Sequence, residues 1–184
     1  QGIFTEFPRF KEYMRNQLPF GITQIGKAYR NEISPRQGLV RVRELTQAEL
    51  EHFIDPEEDS PDIEKVKDVE LKLYPVSKQQ KEDGEYLYPT VEEAINQDVI
   101  ESEWIAYYLG YAKQWYESIG IDMERFRFRQ HLPDELSHYS TDCWDAESDI
   151  GDTNEEEWLE ISGYSYRGDY DLSKHDKYSE DDYK

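Results

Sequence analysis

One short segment of the chain combines several guanidinium groups with a single carboxylate. The basic residues of positions 27–43 are Lys27, Arg30, Arg36, Arg41 and Arg43, and the acidic residue among them is Glu32. On a strand, Arg30 and Glu32 share one face because they lie two residues apart. Such a group is typical of a site for an anionic, hydrogen-bonding ligand such as a nucleotide. The alternative is a surface hairpin with ordinary ion pairs, which is the commoner outcome for an arbitrary arginine-rich hairpin.

The elements around this segment indicate a hairpin and a further strand. Residues 20–32 and 39–46 are predicted to form antiparallel strands joined by a Pro/Gly loop, and residues 48–55 to form a third strand. On the returning strand Arg41 and Arg43 share a face, and on the third strand Glu49 shares a face with Glu51 and Phe53. Two glutamates on one face of a sheet require cationic partners or a cationic ligand.

The remaining patterns predict an α+β protein with an antiparallel sheet and flanking helices. Residues 3–17 carry apolar side chains at helical steps, with Pro8 as a kink or break. Thr90 is predicted to cap a second helix. A third helix is predicted over 102–120, with Gly120 as its stop and one apolar face formed by Ile105, Tyr108, Leu109, Ala112, Trp115 and Tyr116. Further strands are predicted at 69–76, 126–131, 142–147 and 158–163.

The charge of the chain excludes one broad class of function. Its net charge is −21, from 42 acidic and 21 basic residues. A general nucleic-acid binder is expected to be basic, whereas a local positive segment inside an acidic chain indicates a specific anion pocket. The acidity is also compatible with a proteome adapted to high salt. The sequence has no apolar run of the roughly 20 residues that cross a membrane. Its single Cys143 fits a reducing cytoplasm, and we expect a cytoplasmic location.

Other residues that bind metals or phosphates in proteins do not form a recognised motif here. His131, His138, Cys143 and His175 match no compact zinc spacing, and the chain has no CxxC or HExxH. It also has no glycine-rich phosphate loop of the Walker type. We therefore expect that a nucleotide, if bound, is held by side chains on a sheet.

Aromatic and basic residues of the second half have structural interpretations. Aromatic side chains at strand spacing are predicted to lie in the core; they are Trp144, Trp158, Tyr164 and Tyr166. Arg127 and Arg129 share one face of a strand and fit either a nucleic-acid patch or ion pairs with nearby carboxylates. The surplus of acid in this region favours ion pairs.

Several blocks of the chain, in order, resemble archaeal and eukaryotic-type glycyl-tRNA synthetases. Residues 30–56, from Arg-Asn-Glu-Ile-Ser-Pro-Arg-Gln-Gly-Leu through Gln-Ala-Glu-Leu-Glu-His-Phe, are similar to motif 2 of that family. Phe-Arg-Gln-His at 128–131, Asp-Cys-Trp-Asp-Ala-Glu at 142–147 and Trp-Leu-Glu-Ile at 158–161 resemble its following blocks. The resemblance covers nearly the whole chain and implies the class II catalytic core, an antiparallel sheet flanked by helices.

The resemblance also implies a reaction. Glycine and ATP form glycyl-adenylate with release of pyrophosphate, and glycine is then transferred to tRNA-Gly, with Mg²⁺ at the ATP site. By resemblance Arg30 contacts the α-phosphate and Glu32 the adenine amino group, while Glu49 accepts the glycine ammonium. The other ATP-binding residues implied are Asn31, Arg41, Val42, Glu160 and Ile161, with Glu160 also near magnesium. The family further implies a homodimer and no membrane partner.

The sequence departs from the family at a few positions. Leu45 stands where an aromatic residue usually stacks on adenine, a loss of about 1 kcal/mol if uncompensated. Tyr166-Arg167 replaces an Asp-Arg pair, with Asp169 as a nearby substitute for the charge.

We expect the catalytic domain to be partial, without motifs 1 and 3, and residues 1–184 alone to be inactive. Its expected parts are residues 1–56 with a helix and the motif 2 strands, 57–124 as a mostly helical insert, 125–175 as further core, and 176–184 as a polar tail. A non-catalytic, synthetase-derived regulatory or interaction protein is the alternative.

Overall fold

The computed structural model describes residues 2–33, 42–81, 84–152, 156–180 and 183. The chain divides into two compact units, the first formed by residues 1–59 and 172–184 and the second by residues 60–171. Both contain helices and strands, so the predicted α+β class is confirmed in these coarse terms. Among the described residues, no helix combines the length and apolar character that a membrane crossing requires.

Two helices and a β-hairpin form most of the first unit. Helix α1 spans Gly2–Thr5 and α2 spans Phe7–Tyr13, with Pro8 at the start of α2. The predicted helix 3–17 is therefore broken at the proline, which is tolerated in a first turn. Strand β1 (Phe20–Tyr29) pairs antiparallel with β2 (Glu44–Phe53).

Strand β2 corrects the prediction that residues 39–46 and 48–55 are separate strands. Residues 44–53 form one continuous strand, and the segment 34–41 lies outside the described residues. Strand β1 ends at Tyr29 instead of residue 32, although the Arg30 amide still donates to the Arg43 carbonyl at 3.0 Å.

Aromatic side chains close one end of the hairpin. The buried residues of the first unit are Ile3, Phe4, Phe7, Phe20, Phe53 and Tyr183. The rings of Phe7 and Phe53 lie 4.8 Å apart, and the Tyr183 hydroxyl donates to the Thr5 carbonyl at 3.1 Å. Tyr183 is therefore a core residue of the first unit, although it lies in the segment 176–184 that was expected to be a polar tail. The core lies at the Phe20 and Phe53 end, and Tyr29, a described residue near the other end, is 74% exposed.

A four-stranded sheet organises the second unit. Its strands are β3 (Leu73–Tyr74), β4 (Phe126–Gln130), β5 (Asp142–Asp149) and β6 (Trp158–Tyr166), in spatial order β3-β4-β5-β6. The pairs β4–β5 and β5–β6 are antiparallel, whereas the short edge strand β3 runs parallel to β4. The strands at 126–131, 142–147 and 158–163 were predicted, and the last two are longer than expected.

Helices α4 (Val91–Asn96) and α5 (Glu103–Ser118) contribute buried residues to the core of this unit. The unit also contains α3 (Val76–Gln79) and 3-10 turns at Ile63–Lys65 and Met123–Arg125. The final helix α6 (Tyr170–Tyr178) begins in this unit, and from Leu172 onward it belongs to the first unit, where Leu172 packs against the aromatic core. Thr90 caps α4, as predicted, through a capping box with Glu93, and Ser102 caps α5. Leu109 of α5 packs in one core with Phe128 and Trp144 of the sheet. Trp115 corrects the predicted apolar face of α5, since it is 57% exposed while Ala106 and Gly110 are buried.

Candidate functional site

A small hollow lies on one face of the hairpin. Its volume is about 70 Å³, and its lining residues are Gln24, Gly26, Lys27, Ala28, Gln47 and Glu49. The strand register explains this set, because Gln24 pairs with Glu49 and Gly26 pairs with Gln47. Side chains on alternate residues of paired strands share one face, so Gln24, Gln47 and Glu49 surround the bare backbone of Gly26.

The chemistry of the hollow suits a small ligand that carries a positive group. Glu49 is exposed, and its carboxylate is available to an ammonium group. The amides of Gln24 and Gln47 each offer a donor and an acceptor. Leu45, which pairs with Ala28 further along the same face, is half-buried and adds an apolar surface.

The open end of the hairpin carries the predicted nucleotide residues. Arg30 and Asn31 are exposed, and Glu32 and Val42 are half-buried. The Glu32 amide donates to the Arg30 carbonyl at 2.9 Å, and Arg43 Nε donates to the Glu32 carbonyl at 2.9 Å. These bonds hold the backbone around Glu32 and leave its carboxylate uninvolved in them. Arg30 directly follows β1 and continues the alternation of Gln24, Gly26 and Ala28, so we expect its side chain on the face of the hollow.

Two other basic residues of this segment are Arg41 and Lys27. Arg41, predicted to hold the nucleotide, lies outside the described residues. Lys27 is among the lining residues of the hollow, but its ammonium pairs with Glu44 at 2.8 Å. Lys27 is therefore an ion-pair residue of the other face. For this one side chain, the alternative of a surface hairpin with ordinary ion pairs holds.

Glu160 and Ile161 lie on β6 of the second unit. Glu160 is exposed and pairs in register with Glu147, next to a bulge between Ala146 and Glu147. A Cβ at Gly163 would stand 3.3 Å from Asp145 Oδ1 and 3.7 Å from Glu160 Oε1, so two carboxylates approach the same stretch of bare backbone. Carboxylate oxygens are the ligands that Mg²⁺ prefers, and the magnesium role of Glu160 stays a prediction. That Glu160 and Ile161 bind the same ATP as the hairpin residues stays a prediction.

A mixed group of metal-ligand types lies on the same sheet. The ligand atoms of His131, Cys143 and Asp145 lie within 4.8 Å of one another and could hold a metal ion. His131 Nε2 is 2.6 Å from Asp145 Oδ2. Burial raises the pKa of the Cys143 thiol to about 12, helped by the charge of Asp145, which disfavours the thiolate that metals bind.

The other two histidines considered for metal binding make aromatic contacts. His138 packs on Tyr139 and Tyr170, with ring centroids 5.2 and 5.3 Å away, and His175 packs on Tyr183.

The arginines of the second unit are paired, as predicted for Arg127 and Arg129. Arg127 Nε donates to Glu147 at 2.7 Å, and its guanidinium lies 3.8 Å from the centre of the Trp158 ring. Arg129 donates to both oxygens of Glu135, at 2.8 and 2.7 Å. Arg167 is bound through two nitrogens to Asp171, at 2.7 and 3.0 Å, a partner that was not expected.

Sequence reasoning missed Gln24, Gly26, Gln47 and Asp145. The first three follow from the register once residues 44–53 are taken as one strand, because every second residue then shares the face of Glu49. Asp145 lies 14 residues from His131, and only the pairing of β4 with β5 brings them together.

Comparison with known proteins agrees with the resemblance found in the sequence. A family model described as the tRNA synthetase class II core domain (G, H, P, S and T) matches residues 9–76. The chain is 50% identical over 183 residues to a glycine–tRNA ligase of Methanothermobacter thermautotrophicus, covering 99% of this chain and 32% of that protein. A glycine–tRNA ligase of Methanocaldococcus jannaschii is 46% identical over 184 residues, and one of Pyrococcus horikoshii is 50% identical over 183 residues, each covering 97% of this chain and 31% of the relative. The chain, which spans about a third of the length of these curated relatives, belongs to the glycine–tRNA ligase family of class II tRNA synthetases.

Proposed function

We propose that the protein to which this chain belongs activates glycine with ATP and transfers it to tRNA-Gly. One observation carries the proposal beyond the family relationship. The carboxylate of Glu49 stands at a hollow of about 70 Å³, on the hairpin face that Arg30 continues. The Glu49 carboxylate can bind an ammonium group, and the Arg30 guanidinium can bind a phosphate. Two such groups on one face suit a reaction that joins a small amino acid to a nucleotide.

In this proposal each residue of the hairpin has one task. Glu49 binds the glycine ammonium, Arg30 binds the α-phosphate, and Glu32 accepts a hydrogen bond from the adenine amino group. Asn31, Arg41 and Val42 complete the nucleotide contacts. On the second unit, Glu160 and Ile161 contact ATP, and Glu160 with Asp145 has the carboxylate oxygens that would hold Mg²⁺. When bound, that ion neutralises charge on the phosphate oxygens.

The chemistry requires positioning and charge neutralisation. An oxygen of the glycine carboxylate forms a bond to the α-phosphorus, and the bond from that phosphorus to pyrophosphate breaks. Glu49 fixes the amino end, which holds the carboxylate near phosphorus and converts an encounter of two molecules into a local step. The Arg30 guanidinium stabilises the negative charge that develops on the α-phosphate oxygens.

The proposal includes the setting of the site. We infer the class II core arrangement, an antiparallel sheet flanked by helices, a cytoplasmic homodimer, and residues 57–124 as an insert in the catalytic domain. Residues 1–184 alone are expected to be inactive, since they correspond to about a third of the relatives' length.

The test is a Glu49→Gln substitution in the full-length protein. The amide keeps the shape of the side chain but removes the charge that the ammonium needs. A hydrogen bond to a charged group contributes about 1.5–3 kcal/mol, so the KM for glycine should rise roughly 10- to 150-fold while the KM for ATP changes little. Glycine-dependent ATP–pyrophosphate exchange measures both constants.

Glu44→Gln is the matched control, because Glu44 lies on the other face of the same strand in an ion pair with Lys27. It should keep wild-type constants. Equal losses for glycine and ATP in Glu49→Gln would contradict the role of Glu49, and absence of exchange in the wild-type protein would contradict the proposed function.

A further inference from the structure

Gly26 is a glycine that neither the backbone nor the packing requires. Its φ lies outside the left-handed region, since the positive-φ glycines among the described residues are Gly120 and Gly168. A Cβ added at Gly26 would meet nothing within 4 Å. Glycine weakens the interior of a strand relative to alanine, so this position carries a cost without a visible local benefit.

Gly21, in the same strand, has a packing explanation that Gly26 lacks. A Cβ at Gly21 would lie 3.2 Å from the Leu50 side chain, so a larger residue would crowd its neighbour. What lies beside Gly26 is instead the open hollow with Glu49, Gln24 and Gln47. The space above Gly26 is therefore available to a ligand and to no part of the described chain.

Gly26 also stands between the two groups that hold the proposed substrates. Along β1 it follows Gln24, the partner of Glu49, by two residues, and it precedes Arg30 by four. At about 3.4 Å per residue, it lies roughly 7 Å from the Glu49 pair and roughly 14 Å from Arg30. Ligand groups bound by Glu49 and by Arg30 on this face would therefore meet above the bare backbone between them.

We infer that Gly26 is a further substrate-positioning residue, whose missing side chain leaves the space in which the amino-acid carboxylate and the α-phosphate come together. This inference rests on the proposed function and adds the location of the reacting groups. Ala28, the next residue on that face, has the shortest side chain and extends the same space toward Leu45. The amides of Gln24 and Gln47 bound the space on either side of Glu49 and Gly26.

The experiment is a graded series at position 26 in the full-length protein. Gly26→Ala places one methyl group in the hollow and Gly26→Val places three carbons there. Both should fold with a Tm equal to or above that of the wild type, because the added Cβ meets no atom and both alanine and valine are better strand residues than glycine. The kcat/KM of glycine-dependent exchange should fall about 100-fold for Gly26→Ala and further for Gly26→Val, since a displacement of reacting groups by about 1 Å can cost that much.

Ala48→Val is the matched control. Ala48 pairs with Ile25 on the other face of the hairpin, so valine there changes the strand without entering the hollow. It should keep the wild-type kcat/KM.

The outcomes separate this inference from the function on which it rests. If the wild-type protein exchanges normally and both Gly26 variants match it, the inference is overturned and the proposed function stands. If the variants lose Tm together with activity, Gly26 is a structural residue and the inference is again overturned. If the wild-type protein shows no glycine-dependent exchange, the proposed function fails and the inference fails with it.

Discussion

Arginines of the two units have opposite surroundings, although strand spacing in the sequence makes them look alike. In the second unit Arg127 is only 8% exposed, donates to Glu147 and Tyr86 and stacks on Trp158. In the first unit Arg30 is exposed, and no carboxylate among the described residues forms an ion pair with it. The difference teaches that an arginine whose guanidinium is hydrogen-bonded and ion-paired within the chain stabilises the fold. An exposed arginine that forms no such ion pair is available to a ligand.

The largest expected effect is on the buried arginine. Arg127→Met leaves the Glu147 carboxylate, 8% exposed, without its cation. Removing one partner of a buried pair costs about 3–5 kcal/mol, and we expect the free energy of unfolding to fall by that amount. Denaturant unfolding of the chain measures the loss.

Arg30→Met is the matched control for this substitution. An exposed side chain that forms no ion pair with another described residue should change stability by less than about 0.5 kcal/mol when it is replaced. Similar losses for Arg127→Met and Arg30→Met would break the distinction between the two arginines.

A second contrast concerns Gly110 and Gly26, which lack a side chain for different structural reasons. A Cβ at Gly110 of α5 would lie 2.8 Å from Val66 Cβ and 3.0 Å from Val91 Cγ2, both in buried side chains. Overpacking costs about 1–3 kcal/mol, and the better helix propensity of alanine returns about 1 kcal/mol. We expect Gly110→Ala to destabilise the chain by up to about 2 kcal/mol.

Gly26→Ala is the counterpart in the hairpin. Nothing crowds its Cβ, so we expect stability to be equal or higher by about 0.5–1 kcal/mol. Thermal unfolding of both variants gives the comparison. If Gly26→Ala were destabilised and Gly110→Ala unchanged, the assignment of open space to Gly26 and of tight packing to Gly110 would be wrong.

Elements with a core on one side were predicted well from the sequence. Helix α5 has a serine cap, apolar residues at helical steps and Gly120 after its end, and each signal acts locally. Strand β4 alternates Phe126 and Phe128, which are buried in the core, with arginines on the other face. Local signals of this kind need no knowledge of distant residues.

Strands whose side chains line the hollow or form ion pairs were predicted less well. Strand β2 was predicted as two strands, one ending at residue 46 and the next starting at residue 48. Thr46, Gln47 and Ala48 show no apolar alternation, and none of them belongs to the described core of the first unit. Glu147, the partner of Arg127, lies 20 residues away and is found only through the strand register. The roles of Gly26 and Asp145 depend on the same long-range pairing.

The smallest expected effect is a pH dependence that distinguishes the first unit. Burial lowers the pKa of His52 below its ordinary value of 6.5, and Asp59 only partly opposes this. Below pH 6.5 the unfolded chain therefore takes up a proton that the folded chain still resists. The contribution of His52 to stability is constant above that pH and is progressively lost as the pH falls through the interval down to the lowered pKa.

His52→Gln should remove this slope, because glutamine does not titrate. Denaturant midpoints measured on both sides of pH 6.5 should fall less steeply with acid for His52→Gln than for the wild type. Ala48→Val alters the same strand without changing a titrating group, and it should keep the wild-type slope. An identical pH slope in His52→Gln would mean that the acid sensitivity arises from carboxylates elsewhere.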